Sequence, residues 1–114
     1  MGKAFLILRR SASIEYENGR ILSVRMDLYS IQEPRGAQDF RFSWIAFDLD
    51  DPEKRVLFDS HPPKGPHFHI GHQEGVFEWR SISQALKLFF EFVEKEFGPH
   101  PDFDELAKFE GEDQ

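Results

Sequence analysis

Cysteine is absent from the chain, so neither a disulfide framework nor a thiolate metal site is open to it. No stretch approaches the roughly 18 apolar residues of a membrane-crossing helix. The apolar run from Ala4 to Leu8 is short and leads into Arg9 and Arg10. It reads as a strand rather than a secretory signal, which makes the cytoplasm the expected location and excludes a membrane as partner. Internal repeats and low-complexity linkers are also missing. A chain of 114 residues has room for one well-packed core and not for two. One domain is expected over residues 1–109, followed by a frayed acidic tail over residues 110–114.

A charge excess is missing from most of the chain as well. Residues 1–90 hold equal numbers of acidic and basic side chains, and the net charge of −7 arises entirely in residues 91–114. The acidity is therefore a C-terminal feature. It does not bar the rest of the chain from an anionic partner.

Phenylalanine is plentiful, with thirteen in the chain. Each buries a large area, so even a short chain can build a substantial core. Ala12, Ile14 and Tyr16 alternate with polar residues up to Asn18-Gly19. Leu22, Val24, Met26 and Leu28 then alternate in the same way. This pattern predicts a half-buried hairpin closed by a two-residue Asn-Gly turn. Gln32 to Asp39, which contains Glu33-Pro34-Arg35-Gly36, reads as a loop, and residues 40–48 as a third strand. Arg55 to Asp59, His67 to Ile70 and Gly75 to Trp79 follow as three shorter strands. The proline-rich stretch Pro62-Pro63-Lys64-Gly65-Pro66 cannot form regular structure.

The period then changes. Ser81 and Gln84 have the form of a capping box. Ile82, Ala85, Leu86, Phe89, Val93 and Phe97 recur at helical spacing, and Gly98-Pro99 stops the run. Phe90 and Phe92 broaden the apolar face, so the helix must be buried widely. Asp102 to Glu105 is expected to cap a short last helix ending near Phe109. The expected fold is α+β: an antiparallel sheet of five or six strands covered by one long C-terminal helix, with a short extra helix. Leu22, Val24, Met26, Phe40, Phe42, Trp44, Phe68, Leu86, Phe89 and Val93 are expected in one core.

Four of the five histidines, His61, His67, His69 and His72, fall within twelve residues. Side chains two apart leave a strand on the same face, so His67 and His69 should point together while Phe68 anchors the strand inward. Clustered imidazoles either hold a metal or exchange protons near neutral pH. A metal site would use His67 and His69 with His61, His72 or Glu74. The His67-x-His69 pair with Glu74 resembles the first half of the cupin metal pattern, but a helix follows where the second half should stand. The third possibility is that the histidines merely face solvent in a protein-interaction module without chemistry.

A broader resemblance runs from about residue 12 to residue 97. It is carried by Val56-Leu57-Phe58-Asp59-Ser60, then Lys64-Gly65-Pro66-His67-Phe68-His69-Ile70-Gly71, then Phe77, Ser81 and the apolar helix. Glu33-Pro34-Arg35-Gly36 followed by Phe40-Arg41-Phe42 adds to it. These residues resemble the TumE toxin-like family, small bacterial and archaeal proteins often encoded beside a helix-turn-helix antitoxin. The chain departs from the family at Ser60, where an Asn is usual. It departs also at Pro66, in place of an acidic residue, and at Phe68, in place of an Arg. The resemblance implies a toxin-like protein of a toxin-antitoxin system, with an antitoxin or a second copy of itself as partner. If it acts on RNA, His67 and His69 would serve as acid and base with Lys64 as the cation, and Arg41 or Arg80 could add a second cation. The sequence leaves any cofactor open.

Overall fold

In the computed structural model, which describes residues 3–32, 38–60 and 65–111, six strands follow one another as neighbours. They are β1 (Lys3–Glu15), β2 (Ile21–Gln32), β3 (Gln38–Asp48), β4 (Arg55–Asp59), β5 (His67–Ile70) and β6 (Gln73–Val76). Every adjacent pair is antiparallel, so the sheet is a meander in sequence order. Two helices come last, α1 (Ile82–Phe97) and α2 (Asp102–Leu106). This is the α+β architecture expected from strands first and helices afterwards. No helix among the described residues is long and apolar enough to cross a membrane.

The alternation in β2, β3 and β4 decides which sheet face α1 covers. Val24, Leu28, Trp44, Val56 and Phe58 are fully buried on that face, as are Leu86, Phe89 and Val93 from the helix. Phe89 sets its ring edge-on against Trp44 at 5.8 Å and against Phe58 at 5.1 Å. The breadth of the helical stripe has a specific cause. Phe92 leans on Phe58 and Phe68, while Phe90 turns to Phe103 of α2, at 5.4 Å. Burying one such side chain contributes about 1.5–3 kcal/mol.

The helix ends follow from single residues. Ser81 accepts a hydrogen bond from the Gln84 N–H at 3.1 Å, the forward half of the capping box. Gly98, at φ 99°, sends its N–H to the Glu94 carbonyl, and Pro99 bars continuation.

Four local expectations need correction. Asn18-Gly19 does not make a two-residue turn. The Tyr16 carbonyl accepts from Gly19 and the Tyr16 N–H donates to Arg20, leaving a three-residue loop in which Gly19 alone takes positive φ. Asn18 instead accepts from the Arg20 N–H through its side chain, which favours a turn ending in a glycine bulge. The sixth strand is Gln73–Val76 rather than 75–79, because β5 is only four residues long and offers no partner beyond Val76. The short last helix stops at Leu106, and Pro101, not Asp102, precedes its first turn without a side-chain cap. Phe40 and Phe68 pack against the core but are only half-buried, since each lies toward a margin of the sheet.

Candidate functional site

β5 owes its position to two tight constraints. Gly71, at φ 58°, and His72 form the two-residue connection to β6, the turn in which glycine leads. Across the β5–β6 pair, Phe68 faces Gly75, and its ring lies so close that a Cβ on Gly75 would sit 2.5 Å from the ring tip. Phe68 also meets Phe58 and Phe92. The strand is thus held from the α1 side, and its odd-numbered side chains must leave on the opposite, open face.

His67 and His69 do so together. Their rings stand edge to face, with centroids 5.2 Å apart. His67 is 4% exposed, and its Nδ1 lies 2.8 Å from the Gly65 carbonyl oxygen. A carbonyl can only accept, so Nδ1 carries a proton and donates it; in the neutral ring Nε2 is then the nitrogen with the lone pair. Among the described residues no partner is recorded for that Nε2. The side chain of His69 is 28% exposed, and its Nδ1 lies 3.9 Å from a carboxylate oxygen of Glu74, its cross-strand partner on β6. One imidazole is oriented by its Nδ1–H bond to a backbone carbonyl, and the other stands beside a carboxylate.

The neighbouring strand completes the surroundings. Asp59 lies directly across from His67, and Leu57 across from His69. One step further along the open face, a cleft of about 250 Å³ lies among Asp27, Tyr29, Arg41, Ser43, Asp59 and Ser60. Arg9 donates to two of these residues, to Asp27 at 2.7 Å and to the Tyr29 hydroxyl at 2.8 Å. The Asp27 hydrogen bond, followed by its charge, raises the pKa of that guanidinium.

The other residues singled out in the sequence divide plainly. His61 and Lys64 lie outside the described residues. His72 is exposed on the β5–β6 turn and does not join the pair. Among the described residues no three His, Asp or Glu side chains come together as metal ligands. Arg41 lines the open-face cleft and pairs with Asp39, whereas Arg80 is exposed and pairs with Glu78 at 3.1 Å. The positions that depart from the TumE-like pattern have local tasks here. Ser60 accepts the Phe42 N–H through its hydroxyl at 2.8 Å, the Pro66 carbonyl accepts from Phe77, and Phe68 anchors β5.

Sequence reasoning did not single out Asp59 or Tyr29 for the site. Both alternate onto the open face, and strand pairing was the missing information. No family model, curated protein or solved structure matches this chain in comparisons with known proteins.

Proposed function

We propose that the histidine strand is an acid–base site for cleaving single-stranded RNA, in a toxin-like protein of a cytoplasmic toxin-antitoxin system. The observation that supports this best is the His67–His69 pair, with one imidazole held as the Nδ1–H tautomer by Gly65 and the other beside Glu74. Nε2 of His67 accepts the proton of a ribose 2′-hydroxyl as its oxygen attacks the adjacent phosphorus. His69 gives a proton to the departing 5′-oxygen, so the products are a 2′,3′-cyclic phosphate and a free 5′-hydroxyl. Lys64 is the cation for the phosphate in this reading. The TumE-like residue pattern supports a small helix-turn-helix antitoxin, or a second copy of the chain, as the protein partner.

The test is to incubate tag-free protein with single-stranded RNA in excess chelator and to analyse the ends formed. Cyclic phosphate ends that persist in chelator, and disappear in His67→Ala and His69→Ala, are the expected result. Cleavage abolished by chelator alone would transfer the site to metal chemistry. No cleavage by the unaltered protein, or equal cleavage by the variants, would leave the histidines as bystanders. Co-expression with the neighbouring gene product checks the partner: a stable complex that silences the activity is expected.

A further inference from the structure

A second hollow, of about 330 Å³, adjoins the open-face cleft at the end of the sheet where β3 begins and β5 starts. Its apolar part is made by Phe40 and Phe42 of β3 and by Trp79, which follows β6 and folds back over them. The Phe42 and Trp79 rings stack at 4.9 Å and 25°, and the Phe40 ring lies 5.3 Å from Trp79. Its rim is polar. Arg41 and Asp39 form an ion pair there, and Ser60 and Gly65 stand opposite.

We infer that this hollow is a subsite for one unpaired nucleobase of the nucleic acid strand, a proposal that rests on reading the histidine strand as an RNA site. Phe42 is buried beneath Trp79, whereas Phe40 and Trp79 are half-buried, and half-buried rings lining a hollow offer stacking, the sequence-tolerant way in which proteins hold single-stranded bases. The rim argues for a base over a phosphate. Arg41 is already neutralised by Asp39, so the pair offers no net charge to a phosphate. It does offer guanidinium donors beside carboxylate acceptors, which suits the mixed donor and acceptor edge of a base. The Ser60 hydroxyl, which accepts from the Phe42 N–H, also lines the hollow.

The placement ties the hollow to the histidines. Arg41, Phe42 and Ser60 line both this hollow and the open-face cleft. Gly65 forms part of its wall, and the Gly65 carbonyl is the group that orients His67. Asp59, next to Ser60 in the chain, is the cross-strand partner of His67. A base seated against Phe40 and Trp79 would lead the following backbone into the cleft that shares Arg41 and Ser60 with the hollow and is also lined by Asp59, the cross-strand partner of His67. Base binding becomes a positioning device for the scissile linkage.

The experiment walks a single abasic position along a fluorescent 2′-O-methyl RNA hexamer, which cannot undergo 2′-hydroxyl attack, and reads binding by anisotropy. With the unaltered protein, one position should weaken binding roughly tenfold when its base is removed. Phe40→Leu keeps apolar bulk and removes the ring, and should erase that penalty. Arg41→Ala, at a partly exposed position, should reduce it. Failure to bind the hexamer, a flat abasic scan, or a penalty that survives in Phe40→Leu would each overturn the subsite. The two proposals fail separately. RNA cleavage with a flat scan leaves the acid–base site standing alone, and base-dependent binding without cleavage leaves the subsite standing alone.

Discussion

His100 and His67 lie in different regions and use their rings in opposite ways. His100 follows α1 and packs against the β1–β2 end. Its Nδ1 accepts the Asp102 N–H at 3.1 Å, and its Nε2 donates to the Glu15 carbonyl at 3.3 Å. Both nitrogens are thus spent on backbone, and the ring stands edge-on to Tyr16. His67 spends one nitrogen on backbone and faces a second imidazole with the other side of its ring. A histidine with both nitrogens committed is a brace. One whose Nδ1 alone is bonded to backbone, with no partner for Nε2 among the described residues, keeps a nitrogen for proton transfer. Counting histidines in the sequence does not separate the two cases, but tracing their hydrogen bonds does.

Both regions hang on the same helix, so the largest expected effect is one that abolishes the comparison altogether. Phe89 is fully buried between Trp44 and Phe58. Phe89→Ala should destabilise the fold by about 3–5 kcal/mol. Chemical denaturation followed separately by Trp fluorescence and far-UV circular dichroism should show one common, earlier midpoint. Two separated transitions would mean that the brace and the histidine strand are held independently.

The next largest effect separates the two histidines by function. His69→Ala should lower RNA cleavage by about 10²-fold or more while leaving the melting temperature nearly unchanged, because the ring is partly exposed. His100→Ala should do the reverse. It loses two bonds to backbone, worth about 1–2 kcal/mol together, and keeps full cleavage per folded molecule. Equal loss of cleavage in both variants would break the comparison.

Gly75 sharpens it from the supporting side. Gly75→Ala places a methyl group against the Phe68 ring, and overpacking of this kind costs about 1–3 kcal/mol. Because Phe68 anchors the strand between the two histidines, the variant should also displace their rings. Imidazole proton resonances of His67 and His69 should shift, while those of His100 stay. Shifts at His100 alone would contradict the anchoring role.

Much of this was legible in the chain, and the limits have a physical origin. Alternation at Leu22, Val24, Met26 and Leu28 tells which side chains share a face, and the stripe through Ile82, Leu86, Phe89 and Val93 tells that a helix covers it. The same two-residue rule set His67 and His69 together. Alternation does not say which strand pairs with which, or in what register. Asp59 was therefore not placed opposite His67, nor Trp79 over Phe42. Those pairings depend on how the connections close, and the turn at Asn18-Gly19 was itself misjudged by one residue. His61 and Lys64, which the site reading would use, lie outside the described residues.

The smallest expected effect concerns the brace alone. The Tyr16 hydroxyl donates to the Gly98 carbonyl at 3.0 Å, tying the first hairpin to the end of α1. Burial pushes the pKa of this hydroxyl up, and the negative charge of Glu94 adds to the shift. A raised folded-state value means that the unfolded chain loses the phenolic proton first as pH rises. The contribution is complete below the ordinary tyrosine value of about 10. It declines above that, until the folded form also ionises. Tyr16→Phe should cost about 1 kcal/mol at neutral pH. The difference in stability between this variant and the unaltered protein should shrink as the pH is raised above about 10. Denaturation midpoints of the two proteins, measured from pH 7 upward, check this directly. A difference that stays constant through the alkaline range would show that the Tyr16 hydroxyl is not what couples this corner to pH.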